Sequence, residues 1–278
     1  MKKLAIVGIF YDGYYDIWED FLELFHLNWS DCPYDLYIVD NEKEIEFIKK
    51  YNVSVIHAGK DAEYSRKVQV ALEKIKADYF LLLLEDFFIG EKLSEDALSG
   101  VFNTVLSQKI KYYRMSLPEF TPKKYKGKVM PIKTSMEYTI SCQPSLWEKE
   151  FLQKCIGDEN YNAWVFESIY TKSKVAHSES FLEGCWMDYR NVLCLYHGAV
   201  QGKILRKTKD HFIRKGYKFK NTRPILEKRQ EIKYTIKMLV KHICPFFVQK
   251  IIKENIKTDS IIEKYSLQTQ ELINKMQL

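Results

Sequence analysis

The sequence predicts an α/β fold, a mostly parallel sheet with helices on both faces, followed by a helical C-terminal extension. Three observations predict it. Short apolar runs alternate with helix-period segments over the first hundred residues. The runs are almost continuously apolar, as in strands covered on both faces, and do not show the in–out alternation of a half-exposed sheet. Beyond about Pro224, cations and apolar residues mix at helical spacing.

The elements follow in order. "KLAIVGIF" is a short buried first strand, and its basic start without a small-residue cleavage site does not suit a signal peptide. "WEDFLELFHLNW" spaces Trp18, Phe21, Leu22, Leu24 and Phe25 as one helix face. "DCPYDLYIVDN" turns and becomes a second strand ending at Asp40, "EKEIEFIKKYN" is a short helix, and "VSVIHAG" is a third strand. "DAEYSRKVQVALEKIKA" is a helix, "DYFLLLL" a fourth strand, and "SEDALSGVFNTVLSQ" a helix capped by Ser94. "KIKYYRMSL" is a further strand, after which the pattern loosens, with a helix expected from about Ser145. Pro245 would break the C-terminal helix. The expected division is a catalytic unit over residues 1–222 and a basic amphipathic extension over residues 223–278.

The composition, 46% hydrophobic and 29% charged over 278 residues, is that of a globular chain. No apolar run reaches membrane-spanning length. Six scattered cysteines without a CxxC pair suit reduced, cytosolic thiols better than a zinc site. The net charge of +6 hides an asymmetry: residues 201–257 hold 17 basic and 4 acidic residues, and the remainder is acidic overall. That tail points to an anionic partner or to a solvated helix face. Its aromatics, Phe246 and Phe247, adjoin aliphatics and are not interleaved with cations for base stacking, which argues against nucleic acid.

Four places carry candidate chemistry. Glu85 and Asp86 end the central apolar strand, where ligands bind in sheets of this kind. A divalent cation carrying a diphosphate would stabilise them there, and a turn cap or an ion pair is an equal alternative. Arg66 and Lys67 open a helix, where a bound anion would offset the unfavourable dipole; a solvated surface pair is the alternative. In "YHGAVQGKILRK", His197, two glycines, Lys203 and Arg206 coincide, the two cations three apart as on a helix start. Glu167 stands among Trp164, Val165 and Phe166, where burial would suit it to proton abstraction, although a helix with Glu167 facing water fits the same residues.

Together, "LYIVDN", "HAGKDAEYSRKVQVALEKIKADYFLLLLEDFF", "SCQPSLWEKEFL" with "NAWVFE", and "LYHGAVQGKILRK" resemble bacterial glycosyltransferases of the GT-A type, family-2-like, encoded with capsule, O-antigen or other surface-polysaccharide genes. The likeness spans roughly residues 3–220. It implies a GT-A-like (Rossmann-like) sheet and transfer of a sugar from a nucleotide-diphosphate donor, first of all a UDP-sugar, to a hydroxyl of a lipid-linked glycan. It implies a nucleoside near Phe10, Tyr11, Asp40, Lys60, Ser65 and Arg66, and Mg2+ or Mn2+ at Asp86 with Glu85. The usual Asp-x-Asp is absent, since Leu84 and Phe87 stand where an outer acid would. A metal-independent site, neutralised by Arg66, Lys203 and Arg206, is the alternative. Glu167 would be the base and Glu183 its reserve. The tail is expected on an anionic inner-membrane surface, on the protein body or on a second copy of the chain. Nucleotidyl transfer is a rival reading, but "GIFYDGYYD" lacks the basic loop such enzymes place after the first strand.

Overall fold

The structure, a computed structural model, describes residues 2–115, 125–200, 202–232 and 260–278; side-chain statements for the last segment begin at Tyr265. The first half follows the expected alternation: β1 (Leu4–Ile9), α1 (Trp18–Asn28), β2 (Leu36–Asp40), β3 (Ser54–His57), α2 (Tyr64–Lys74) and β4 (Tyr79–Leu84). A short β5 (Phe87–Ile89), α3 (Ser99–Ser107), β6 (Tyr112–Arg114) and β7 (Val129–Pro131) follow. Next come β8 (Ser145–Glu148), α4 (Lys149–Ile156), α5 (Ala163–Lys172), α6 (Glu179–Leu182) and β9 (Cys185–Asp188). The described chain closes with β10 (Leu195–His197), β11 (Ala199–Val200), β12 (Lys203–Ile204), α7 (Arg206–Arg214) and α8 (Ser260–Lys275).

Eight strands form one sheet in the order β3-β2-β1-β4-β8-β6-β9-β7. β1 pairs parallel with β2 and β4, β2 with β3, and β6 with β9. β8 runs antiparallel between β4 and β6. The leucine run of β4 is explained by its central place. Tyr79, Leu81 and Leu83 enter one core with α1 and α3, while Phe80 and Leu82 enter the other with α2, α4 and α5. A strand buried on both faces needs apolar residues at every position.

Four local expectations change. The helix expected from Ser145 begins at Lys149, and Ser145–Glu148 is β8. Leu146 and Trp147 alternate between the two cores, a period-two pattern too short to tell from a helix start. The segment 42–51 makes only a 3-10 turn, Glu46–Lys50. Ser94 precedes another one-turn 3-10 helix without capping it through its side chain, and α3 starts at Ser99. The helix expected from about Pro224 starts at residue 228; before it, the Pro224 carbonyl accepts from Ile204 N at 3.0 Å, and Leu226 N donates to Ile204 O at 2.8 Å.

Residues 217–226 form a strap. Asp20, fully buried on α1, accepts from Tyr217 Oη (2.8 Å), Lys220 N (2.9 Å), Asn221 N (3.1 Å) and Asn221 Nδ2 (2.7 Å). The strap crosses the 222/223 boundary that composition suggested. Farther on, α8 packs along α5. Tyr265 lies 5.4 Å from Trp164 between ring centroids, Leu272 and Ile273 are buried, and Lys275 pairs with Glu159. The mixed basic stretch around Pro245 lies outside the described residues.

Candidate active site

The carboxyl ends of β1, β2, β3, β4, β6 and β9 point the same way, and the amino end of β8 arrives among them. Asp40, His57, Glu85, Asp86, the 141–144 segment and Asp188 therefore share one rim of the sheet. Glu183 does not. It precedes β9 in an exposed turn, and the next residue's carbonyl, that of Gly184, accepts from Lys111 N just before β6. It belongs to the opposite rim, so its expected role as a reserve base is corrected: a parallel strand separates its two ends by its whole length.

Asp86 and His197 meet at the centre of that rim. The antiparallel pair β5–β10 sets His197 opposite Phe87, with the two rings stacked at 5.3 Å and 11°. His197 Nε2 lies 3.2 Å from Asp86 Oδ2. Gly198 clasps the surrounding segments. Its N–H donates to Asp86 O at 2.6 Å, and its carbonyl accepts from Leu205 N at 2.9 Å. A side chain there would strike Phe88, since an added Cβ falls 2.4 Å from the ring. Thr208 Oγ1, on the first turn of α7, donates to His197 O at 2.6 Å. Two buried atoms on these clasped segments lack partners, Asp86 Oδ1 and Arg206 Nε. One is an anionic acceptor and the other a cationic donor, and leaving either unpaired in the interior is costly.

Glu85 turns the other way. It is buried, and burial first, then the Asp86 charge, raise its carboxyl to about 8; backbone amides of Glu85 and Tyr11 and the Lys67 ammonium pull against that. With no divalent cation beside it, Glu85 sits in the rim wall as a protonated acid at neutral pH, and a divalent cation at Asp86 would favour its charged form. Lys67 is no surface cation either. It is buried, its Nζ donates to Phe10 O at 2.7 Å, and burial lowers its pKa against the pull of Asp12, Glu85 and Asp40. Tyr14 completes this wall. Burial, then Asp86, raise its hydroxyl, and Arg223 stacks 3.9 Å from its ring centre. Arg223 also binds Asp16 through Nε and NH2 and donates to Gly13 O and Gly202 O, tying the loop after β1 to the β11–β12 hairpin.

The residues expected around a nucleoside divide. Tyr11 is 58% exposed at the end of β1 and is free to meet a ligand. Phe10 is not: it is fully buried against Trp18 and Phe21. Asp40 is fully buried too, with Oδ1 bonded to His57 Nδ1 at 2.7 Å and Oδ2 accepting from Lys43 N at 3.2 Å. Burial raises its pKa, and His57 opposes that. At this tip His57 is the exposed side chain, and Asp40 lies buried behind it. Lys60 stays exposed on the loop that Asn41 holds through bonds to the carbonyls of Gly59, Lys60 and Ala62. Ser65 donates to Glu159 O and accepts from Tyr161 N, which makes it a buried fastener. Arg66 pairs with Glu73 on its own helix at 3.1 Å.

Glu167 reaches the rim from α5. Its Oε1 accepts from Cys142 N at 3.0 Å. Burial pushes the Cys142 thiol well up, and the charges of Glu167 and of Asp86 add to this. The α5 helix that positions Glu167 starts at Asn162, whose Oδ1 accepts from Val165 N at 2.9 Å. Lys203 and Arg206 do not share a helix face: Lys203 lies in β12 and donates to Gln230 Oε1 at 2.9 Å, while Arg206 opens α7. Sequence reading missed Tyr14, Arg223 and the pair Asp188–Arg190. Asp188 is fully buried and bound by Arg190 Nε and NH2 and by Tyr113 Oη. "CWMDYR" carries the apolar-run-then-acid signal of "LYIVD" and would have revealed it; Arg223 has no local signal.

Among the described residues no group of three or more His, Cys, Asp and Glu is placed to hold a metal ion. The donors at hand are the unpaired Asp86 Oδ1 and the imidazole of His197, which fit a divalent cation that takes its remaining ligands from phosphate and water. No helix among the described residues is long and apolar enough to cross a membrane.

No family model and no curated protein matches the chain. Solved structures do. S. aureus TarS aligns at 12% identity over 61% of this chain and 32% of that one, with a TM-score of 0.43. The mannosyltransferase PcManGT from Pyrobaculum calidifontis, in complex with GDP-Man and Mn2+, aligns at 12% identity over 72% and 58%, with a TM-score of 0.48. Mannosyl-3-phosphoglycerate synthase from Rubrobacter xylanophilus aligns at 11% identity over 63% and 64%, with a TM-score of 0.40. The chain thus spans less than two thirds of the length of each. These are distant likenesses of chain fold, and the chemistry has to come from the side chains.

Proposed function

We propose that the chain is a glycosyltransferase that moves a sugar from a nucleotide-diphosphate donor, first of all a UDP-sugar, to a hydroxyl of a lipid-linked surface glycan. The observation that carries this is the pair of unpartnered buried atoms, Asp86 Oδ1 and Arg206 Nε, on segments clasped together by Gly198. A metal–diphosphate group satisfies both at once: cation to carboxylate, phosphate to guanidinium.

The donor's diphosphate lies over the β4 tip. A Mg2+ or Mn2+ ion held by Asp86 and His197 would neutralise the charge that grows on the leaving diphosphate. Arg206, fixed at the start of α7, supplies a charged donor to the same group, and such preorganised charge acts most strongly in the transition state. Glu167, whose carboxylate accepts from Cys142 N on the same rim, takes the proton of the acceptor hydroxyl. Tyr11 and His57 line the nucleoside end.

A thermal-shift panel of UDP-, GDP-, CMP- and dTDP-sugars, each with and without Mn2+, tests the reading. One donor should raise the melting temperature, since ligand at a hundred times its Kd stabilises by about 2.7 kcal/mol. Asp86→Ala should lose the Mn2+-dependent part. A panel in which no nucleotide sugar shifts the melting temperature would falsify donor binding.

A further inference from the structure

The outer face of α7 and the turn after it carry a concentration of unneutralised charge. Lys215 pairs with Glu91, and Lys220 with Glu19 and Glu23. Lys207, Lys209, Arg214 and Lys218 have no carboxylate partner among the described residues, and Asp210 is the lone acid on this stretch. In their midst Ile213 is 52% exposed, an aliphatic side chain that α7 turns away from its buried Thr208 and Phe212. Ile213, Lys209 and Lys218 rim a hollow of about 430 Å³ whose other lining residues include Tyr217 and Phe219.

We infer that this face docks on an anionic phospholipid surface, with the lysine ammonium groups on headgroup phosphates and Ile213 entering the acyl boundary. Cations around a single aliphatic side chain suit a bilayer, where charge is met at the headgroups and the apolar group just below them. Nucleic acid fits less well. The rings here are packed against one another, Tyr217 on Phe219 at 5.1 Å and Phe219 on Phe212 at 5.8 Å, and are not presented for base stacking. Because Thr208 fixes the first turn of α7 to His197, a docked α7 holds the Asp86 rim at a set distance from the bilayer. The inference stands without the transferase reading; combined with it, it says where a lipid-linked acceptor would approach.

The test is co-sedimentation of the full chain with phosphatidylcholine vesicles, with and without phosphatidylglycerol. Wild type should bind only the anionic vesicles and be released by high salt. Lys209→Gln with Lys218→Gln should bind about thirtyfold more weakly, at roughly a factor of five per lysine. Ile213→Glu should abolish binding. All these side chains lie on the surface, and unchanged melting temperatures would show that the fold is intact. Variants that bind as tightly as wild type would move the contact elsewhere and overturn the assignment. So would wild type that ignores anionic vesicles, or that is displaced from them by single-stranded RNA at matching phosphate concentration. Donor binding in the thermal-shift panel is read separately, so either conclusion can fail alone.

Discussion

Asp20 and Asp86 are the same residue in opposite situations. Asp20 is fully buried and its two oxygens receive four hydrogen bonds from the 217–226 strap. Asp86 is mostly buried, one oxygen meets His197 and the other meets nothing. A saturated buried carboxylate is a fastener, since its desolvation is already offset by bonds within the chain. An unsaturated one keeps an acceptor open to a ligand or to an ordered water. The same contrast separates Asp188, filled by Arg190 and Tyr113, from the Asp86 site a few strands away.

Exchanging the two should expose the difference. Asp86→Ala should cut transfer by about a thousandfold or more while the urea midpoint barely moves. A variant that transfers at the normal rate would remove Asp86 from the mechanism. Asp20→Ala should do the reverse, costing about 3 kcal/mol in urea unfolding because Tyr217 and Asn221 lose a buried partner. A midpoint like that of wild type would mean the strap holds by packing alone. Glu167→Gln should lower kcat about a hundredfold with donor KM unchanged; weaker donor binding at normal kcat would instead place Glu167 in the donor site.

Glu85 sharpens the comparison by pH. Its folded-state pKa of about 8 lies above the ordinary 4.5, so the folded protein keeps a proton that the unfolded chain has released. Its contribution to stability is therefore full below about 4.5 and falls as pH rises through about 8, by at most ~1.4 kcal/mol per pH unit. Metal-free Glu85→Gln should show a flatter profile in that window, and equal slopes for the two proteins would count against a buried, protonated Glu85. The smallest effect expected is that of Asn162→Ala, about 1 kcal/mol from losing the α5 cap. Thermal unfolding measures it, and no change would mean that the cap contributes nothing to holding Glu167.

The first four strands and their helices were legible because β4 and its neighbours are buried on both faces, which forces unbroken apolar runs that no exposed segment tolerates. Asp86 was legible for the same reason: an acid ending such a run sits where the sheet stops covering it. His197 was found as a residue type, but its meeting with Asp86 depends on β5–β10 pairing across more than a hundred residues. Asp40, Phe10 and Ser65 looked like ligand contacts because they sit at the correct rim. Burial decided otherwise, and burial depends on what packs from elsewhere.

Sequence alone thus determined which strands form the centre of the sheet and at which rim the acids that end them gather, because hydrophobic period and strand direction are local properties. Only the tertiary structure decided which carboxylates are already satisfied. Hydrogen-bond partners such as Tyr217 for Asp20, Arg190 for Asp188 and His197 for Asp86 are chosen by the fold, and a partner's presence or absence separates a fastener from a site.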